Sequence, residues 1–270
     1  MVQTTLPCPA LPFVDGSYCS AEKTPGILAR LRPGMAFYPR EFLIVWRAGA
    51  KAKRGKYDDR EWVKSSLDTI RNLERVGVRL DISGLEHVTA LHGPCVFIGN
   101  HMSTLETFAL PGILVPEKRV TFVVKQSLLD YPVFGHVMRS RDPISVGRTN
   151  PREDLRAVLE GGLERIGRGV SLVIFPQTTR SVAFDPEEFN TIGVKLAKRA
   201  EVPVIPFAVK TDAWGNGRLV KDIGTIDPSK TVYFAFAPPV RIAGRGNEEH
   251  EAIIRFILER LGAWGGTVKG

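Results

Sequence analysis

The residues of this chain best suited to chemistry are a histidine and a glutamate that follow a short apolar run. Residues 95–99 are apolar or small, and Asn100, His101 and Glu106 come after them. A histidine can act as a general base near neutral pH when a carboxylate fixes its tautomer. Five residues apart, His101 and Glu106 would lie about 140° apart on a regular helix. They can therefore pair only if His101 precedes a helix and Glu106 lies in its first turn.

A structural interpretation fits the same residues. Ser103 and Glu106 have the spacing of a capping box, with Ser103 as the N-cap and Glu106 as the third helical residue. Glu106 would then bind backbone N–H groups, and His101 would be an ordinary loop histidine. The two interpretations are compatible, because a capping carboxylate has a second oxygen.

The stretch around His101 resembles the first block, NHxxxxD, of the glycerolipid acyltransferase family, which includes the lysophosphatidic acid acyltransferases. Three later stretches resemble the following blocks in the same order: residues 125–135 with Arg148 downstream, residues 175–181 (FPQTTRS beside the family's FPEGTRS), and residues 202–209 with two prolines. The resemblance covers about residues 76–240, and four ordered blocks are far more specific than one.

The resemblance implies a role for each matching residue. His101 would deprotonate the acceptor hydroxyl, and Glu106 would orient the imidazole and stabilise its charged form. Arg148 and Arg180 would hold the acceptor phosphate, since the guanidinium fork matches phosphate oxygens. The remaining substrate-binding candidates are Asn100, Lys125, Gln177, Thr178, Thr179 and Ser181. The resemblance implies no metal and no cofactor.

Two departures from the family pattern bear on the substrate. Glu106 replaces the usual aspartate, which keeps the charge and lengthens the side chain by one methylene. Gln177 and Thr178 replace the Glu-Gly pair, so a carboxylate becomes a neutral amide and a glycine is lost. The acceptor is therefore open between lysophosphatidic acid and another molecule, while Arg180 favours one that is anionic or carries phosphate.

The order of the elements predicts an α/β fold. Short apolar runs alternate with helical patterns, which indicates a mostly parallel or mixed central sheet flanked by helices. The predicted strands are 78–82, 95–99, 121–124, 144–146, 171–175, 204–209 and 232–236. The predicted helices are 104–114, 152–167, 189–200 and 248–261, preceded by an N-terminal helical hairpin. We expect an irregular arm at 1–34, the hairpin at 35–77 and an acyltransferase domain at 78–270.

The hairpin has a composition suited to a membrane surface. Residues 35–47 are aromatic and apolar, with a predicted helix from about Pro39, and Lys51, Lys53, Arg54 and Lys56 follow. An apolar surface beside a basic cluster is typical of a helix in a lipid headgroup layer. An amphipathic helix packed on the domain, followed by a solvated basic loop, explains the same pattern.

Charge and cysteine content limit the function classes. The chain has 270 residues, a formal net charge of +8 and three cysteines. A basic surface attracts nucleic acid, anionic lipid or acidic carrier proteins. We expect no nucleic-acid partner, because neither a Cys/His finger nor an RNP-like aromatic pattern is present. The odd cysteine count favours a reducing compartment. We see no signal-peptide pattern and no apolar run long enough to span a bilayer, so we expect peripheral attachment to the cytoplasmic face of a membrane.

The sequence thus predicts transfer of an acyl group from a thioester, either acyl-CoA or acyl-carrier protein, to a hydroxyl of a lysophospholipid such as 1-acylglycerol-3-phosphate. The alternatives are a non-catalytic lipid-binding relative and, further off, a basic nucleic-acid-binding domain.

Overall fold

A mixed β-sheet lies at the centre of the computed structural model, which describes residues 9–22, 24–177, 179–218 and 220–269. The strands are β1 (Tyr18–Cys19), β2 (Leu80–Ser83), β3 (Val96–Gly99), β4 (Val120–Lys125), β5 (Ile144–Val146), β6 (Ser171–Ile174), β7 (Ala183–Phe184), β8 (Val204–Lys210), β9 (Val232–Phe236) and β10 (Thr267–Val268). The main sheet has the order β1-β2-β9-β8-β3-β6-β4-β5, and β7 and β10 form a separate pair. The predicted α/β class with a mixed sheet is confirmed.

The central strands are buried along their whole length. Every residue of β3, β6 and β8 is buried, as expected for strands covered by helices on both faces. Strands β8, β3, β6, β4 and β5 are parallel to one another, while β9 is antiparallel to β8. The carboxyl ends of these five parallel strands therefore meet at one edge of the sheet, where α/β proteins bind ligands.

Helices come before β2 in the chain, and further helices alternate with the strands of the sheet. They are α1 (Ile27–Leu31), α2 (Pro33–Lys53), α3 (Asp59–Arg75), α4 (Leu85–Thr89), α5 (Leu105–Leu114), α6 (Phe134–Arg139), α7 (Pro151–Gly167), α8 (Ile192–Arg199) and α9 (Asn247–Ala263), with a 3-10 helix at Gln126–Asp130. The predicted helical hairpin is confirmed as α2 and α3. Within the described ranges, no helix combines the length and apolar composition needed to cross a bilayer.

The segment expected to be an irregular arm contains regular structure. Strand β1 adds to the sheet edge beside β2, and α1 leads directly into α2. Helix α2 begins at Pro33, and Pro39 lies inside it instead of starting it. Residues 1–8 and 23 of this segment lie outside the described residues. The arm is therefore tied to the domain over much of its length.

A buried carboxylate joins the two helices of the hairpin. Glu41 of α2 is 4% exposed and accepts hydrogen bonds from Thr69 Oγ1 (2.7 Å) and Asn72 Nδ2 (3.2 Å) of α3. Burial raises the pKa of Glu41 to about 7, and the two hydrogen bonds offset part of that rise. The folded protein consequently favours the neutral carboxyl.

We expect Glu41→Gln to raise the melting temperature at pH 8 by about 3 °C or more and to change it little at pH 5. Because the pKa of Glu41 is raised on folding, its contribution to stability is fully present below the ordinary value and is lost as the pH rises through about 7. Glutamine mimics the neutral form at both pH values. Asn72 Oδ1, which is buried without a hydrogen-bond partner among the described residues, gives the amide an acceptor. Thermal scans at the two pH values test this, and an equal shift at both would contradict it.

Candidate active site

His101 and Glu106 form a hydrogen-bonded pair at the carboxyl end of β3. The distance between His101 Nδ1 and Glu106 Oε1 is 2.8 Å. His101 lies before α5 and Glu106 is the second residue of that helix, which is the arrangement that the five-residue spacing requires. The His101 side chain is 13% exposed and the Glu106 side chain is fully buried. The contact is therefore shielded from solvent and screened little by salt.

The Glu106 carboxylate also organises the start of α5. Its Oε1 accepts from Met102 N (2.6 Å) and Ser103 N (2.9 Å), and its Oε2 accepts from Ser103 Oγ (3.1 Å) and Thr211 Oγ1 (2.6 Å). Pairing with His101 and binding of backbone N–H groups thus occur together. The helix itself starts two residues after Ser103, with Thr104 at the N-cap position.

The surroundings of Glu106 favour its charged form. Burial alone would raise the pKa of this carboxyl, but the hydrogen bond and charge of His101, together with Thr211 and Ser103 N–H, outweigh it and hold the pKa below its usual range. An ionised Glu106 accepts a hydrogen bond from the Nδ1–H of His101, which leaves Nε2 as the basic ring nitrogen. The imidazole ring stacks on Phe175 with centroids 4.2 Å apart, so packing as well as hydrogen bonding fixes its orientation.

The loop after β6 binds both backbone groups of His101. His101 N donates to Gln177 Oε1 (2.8 Å), and Ser181 N donates to His101 O (3.0 Å). Ser181 Oγ donates to Ala183 O (2.7 Å), so it holds its own loop. Gln177 is 2% exposed, and its Nε2 is buried without a hydrogen-bond partner in the described part of the chain. Thr178 lies outside the described residues.

Asn100 connects β3 to β8. Its Nδ2 donates to Val209 O, and its Oδ1 accepts from Val209 N, both at 2.8 Å. The side chain is 2% exposed. Both polar groups of the amide are therefore occupied by backbone, and the residue positions His101 instead of facing a substrate.

Three predicted cations gather around His101. Lys125 ends β4, Arg148 follows β5, and Arg180 lies in the loop after β6, and all three line one cavity with His101. Burial lowers the pKa of the Arg148 guanidinium, the charge of Asp154 offsets part of that shift, and the charge of Arg180 adds to it. The backbone N–H of Arg148, at a φ of 59°, donates to Asp154 Oδ2 (2.9 Å). The site thus concentrates positive charge at the sheet edge.

Asp222, from the segment between β8 and β9, neutralises part of that charge. Its Oδ1 accepts from Arg180 Nη1 (2.6 Å) and Thr104 Oγ1 (2.5 Å), and Arg180 also donates to Thr104. The neighbouring Lys221 donates to Thr179 Oγ1 (3.1 Å). Sequence reasoning missed Asp222 and Thr211, because nothing local distinguishes either. Thr211 directly follows β8, and its place beside Glu106 follows only from the strand order.

Two cavities meet at His101. The first has a volume of about 570 Å³ and mostly apolar walls, which include Trp62, Phe122, Val137 and Val158. The second has a volume of about 740 Å³ and opens beside α2, and its walls hold Thr104, Thr179, Arg180, Lys221 and Asp222. His101, Lys125 and Arg148 line both, whereas Gln177 lines only the first. Both volumes are within the range of small-molecule sites.

Comparisons with known proteins show which family this chain resembles. A family model described as Acyltransferase matches residues 79–210. A 1-acyl-sn-glycerol-3-phosphate acyltransferase of Pseudomonas aeruginosa is 34% identical over 151 residues, which are 56% of this chain and 57% of that protein. The enzyme of the same name from Saccharomyces cerevisiae is 26% identical over 203 residues, which are 69% of this chain and 65% of that protein. The chain therefore spans less than two thirds of the length of these relatives.

A solved structure shares the fold. The crystal structure of the 1-acyl-sn-glycerophosphate (LPA) acyltransferase, PlsC, from Thermotoga maritima superposes with a TM-score of 0.62, covering 87% of this chain and 97% of that one at 18% identity. The resemblance seen in the ordered blocks is thus confirmed by a family model, by sequence relatives and by the fold. Residues 79–210, which contain all four blocks, are thus similar to the acyltransferase family.

Proposed function

We propose that this chain transfers a fatty acyl group from a thioester to a hydroxyl of a lysophospholipid such as 1-acylglycerol-3-phosphate, in phospholipid synthesis or remodelling. The observation that carries the proposal is the His101–Glu106 pair at the junction of an apolar cavity and a cavity lined by cations. At such a junction, an acyl donor in one cavity and an acceptor in the other can both reach His101. The names of the sequence relatives support the same reaction.

Each cavity suits one substrate. The apolar walls of the first cavity match a hydrocarbon chain, whose transfer from water is favourable by about 25 cal/mol per Å². The guanidinium groups of Arg148 and Arg180 in the second cavity match the oxygens of a phosphate. We therefore assign the acyl chain of the donor to the first cavity and the headgroup of the acceptor to the second.

The reaction then follows from the position of one nitrogen. His101 Nε2 takes the proton of the acceptor hydroxyl as the oxygen attacks the thioester carbonyl carbon. The ionised Glu106 stabilises the imidazolium that forms. When the tetrahedral intermediate collapses, the carbon–sulfur bond breaks, and the imidazolium gives its proton to the leaving thiolate. The products are an ester and a free thiol, and the histidine is restored.

An acceptor screen tests the proposed function. Purified protein is mixed with palmitoyl-CoA or palmitoyl-acyl-carrier protein and with lysophospholipids that differ in headgroup, and the acylated products are measured by mass spectrometry. We expect product with a phosphate-bearing acceptor and at least one donor. Binding of lipid without transfer to any acceptor would favour the non-catalytic relative.

We expect Asp222→Asn to lower the KM for a phosphate-bearing acceptor by about threefold to tenfold, at an unchanged KM for the donor. The Asp222 carboxylate holds Arg180 Nη1 at 2.6 Å, so an incoming phosphate has to displace it. Asparagine keeps the size and removes the competing charge. Initial rates at varied acceptor concentration give the result.

The matched control is Asp222→Glu, which retains the competing charge and should not lower the acceptor KM. If Asp222 instead holds Arg180 in its productive position, the asparagine variant will show a higher acceptor KM, and competition with phosphate will be excluded.

We also propose that α1 and α2 attach the protein to a membrane surface. Large apolar side chains project from these helices into solvent: Ile27, Leu28, Leu31, Met35, Phe42, Leu43 and Trp46 are all at least 41% exposed. Arg30, Arg32, Arg40 and Arg47 are exposed among them, which suits an anionic surface. Phe42 also lines the second cavity. The lipid acceptor would thus enter from the layer in which these helices lie, and α1 together with the hairpin at 35–77 would anchor the domain at 78–270.

We expect Phe42→Ser/Trp46→Ser to weaken binding to vesicles with anionic lipid by about tenfold or more, because each large apolar side chain contributes up to about 1.5–3 kcal/mol when buried. These two side chains are 65% and 60% exposed, so the fold should not depend on them, whereas deletion of residues 35–56 would remove the fully buried Phe37. Vesicle co-sedimentation measures the effect. Val14→Ser, at a side chain that is 71% exposed outside both helices, is the control. Equal binding by the double variant and the control would place the membrane contact elsewhere.

A further inference from the structure

The first cavity has a polar rim that the proposed reaction does not use. At the starts of α7 and α8, the cavity wall is formed by Pro151, Arg152, Asn190, Thr191 and Lys195. Arg152, Asn190 and Lys195 are exposed, whereas Val158 and Ile174 deeper in the same wall are buried. The cavity therefore runs from a hydrophobic interior to a solvent-accessible edge with basic side chains.

The charge at this edge is not neutralised by any residue that the structure describes. Among the described residues, the side chains of Arg152 and Lys195 make no ion pair or hydrogen bond. Asp154 is the acidic residue in the cavity wall, and its two carboxylate oxygens accept from Gly147 N and Arg148 N, both at 2.9 Å. Two cations consequently face solvent at the edge of a cavity that leads to His101.

A further unused group lies deeper in the same wall. Gln177 is 2% exposed, and its Oε1 is bound by His101 N at 2.8 Å. Its Nε2 must therefore point away from that N–H, and it has no hydrogen-bond partner in the described part of the chain. A buried amide donor without a partner is unfavourable. It would be satisfied by a ligand that carries an acceptor oxygen into the first cavity.

We propose that Arg152 and Lys195 bind the phosphate of the 4′-phosphopantetheine arm of the acyl donor. This inference rests on the proposed function, and it adds the place where the donor headgroup binds. The arm consists of a thioester, two neutral amides and then a phosphate. His101, Arg152 and Lys195 all line the first cavity, so an arm whose thioester lies at His101 would direct its phosphate toward the basic edge. The amide carbonyls along the arm offer acceptors to Gln177 Nε2.

The two cavities offer different cations to the two substrates. Arg180, Thr179 and Lys221 line the second cavity only, and Arg152 and Lys195 line the first only. Arg152 and Lys195 are thus left for the donor phosphate, Arg180 for the acceptor phosphate, and Lys125 and Arg148 line both cavities. Acyl-CoA and acyl-carrier protein share the phosphopantetheine group, so the edge recognises what the two donors have in common.

The test compares three donors on the variant Arg152→Ala/Lys195→Ala. The donors are palmitoyl-CoA, palmitoyl-acyl-carrier protein and palmitoyl-pantetheine, which lacks the phosphate. We expect the KM for both phosphate-bearing donors to rise about tenfold or more. The KM for palmitoyl-pantetheine and the KM for the acceptor should stay within about twofold of wild type.

The matched control is Arg156→Ala/Arg199→Ala. These arginines lie on the same two helices, are exposed and do not line the first cavity, so this variant loses the same charge without losing the edge. We expect wild-type KM values for all three donors. An equal rise in the control and the test variant would show a general effect of net charge and would overturn the proposal.

The remaining outcomes are equally decisive. A rise with palmitoyl-CoA alone would place the contact on the nucleotide, and a rise with palmitoyl-acyl-carrier protein alone would place it on the carrier protein; either overturns the shared phosphopantetheine site. A rise in KM that includes palmitoyl-pantetheine excludes the phosphate as the group that is bound.

If the wild type transfers no acyl group at all, the proposed reaction fails, and calorimetric binding of the thioether hexadecyl-CoA still decides this site. A Kd that is about tenfold weaker in the test variant than in the control supports it, and an equal Kd or no binding overturns it.

Discussion

Replacement of His101 with alanine is expected to lower kcat for acyl transfer by about a thousandfold or more, within the range that a general base contributes. The loss should be in kcat and not in the KM of either substrate, because the cavity walls and the cations remain. The His101 side chain is 13% exposed and contacts Phe175 by stacking, so the fold should survive its removal. Initial rates and a thermal scan of the purified variant measure both effects.

His92→Ala is the matched control for this prediction. His92 is exposed in the connection that precedes β3, at the opposite end of that strand from His101. It should retain wild-type kcat. Wild-type turnover by the His101 variant would rule out the proposed base, and equal loss in both variants would point to a general effect of histidine removal.

Replacement of Glu106 with glutamine is expected to lower kcat by about a thousandfold and also to destabilise the fold by a few kcal/mol. The buried carboxylate accepts five hydrogen bonds, from His101, Met102, Ser103 N, Ser103 Oγ and Thr211. Both carboxylate oxygens accept hydrogen bonds, so the NH₂ group of a glutamine would face N–H or O–H donors at one of the two positions and could not accept from them. The imidazole would lose the negative charge that stabilises its protonated form.

Glu106→Asp separates the positioning role from a structural one. Aspartate retains the charge, and the block that this sequence resembles carries aspartate there. We expect Glu106→Asp to keep kcat within about tenfold of wild type at a wild-type KM, although its shorter side chain leaves the α5 start less well bound. If both variants lose stability equally and lose kcat equally, Glu106 acts only as a cap.

The buried strands and the longer helices of the fold could be predicted from the sequence, whereas the short helices could not. Strands β5 and β9 match the predicted ranges residue for residue, because buried runs flanked by turn residues are unambiguous. Helices α4 and α6 have five and six residues, too few to show a helical period. The sequence predicts α2 from about Pro39. The helix begins at Pro33 instead, where proline suits the first turn, and Pro39 lies inside it.

Some contacts of the site could be predicted from the sequence and others could not. The His101–Glu106 spacing could be predicted because both residues belong to one connection. The bonds that hold them come from far along the chain: Gln177 and Ser181 bind the backbone of His101, and Thr211 binds Glu106. Those contacts depend on β6 and β8 lying on either side of β3. Sequence spacing contains no information on that order, so Asp222 beside Arg180 could not be foreseen either.

The most direct test of the proposed function is the product formed by wild-type protein on vesicles with anionic lipid. The mixture contains 1-oleoylglycerol-3-phosphate and isotopically labelled palmitoyl thioester, supplied in turn on CoA and on acyl-carrier protein. Labelled phosphatidic acid in mass spectra, formed by wild type and by His92→Ala but not by His101→Ala, is the predicted result. Folded protein that binds the vesicles yet forms no labelled phosphatidic acid with either donor would contradict it.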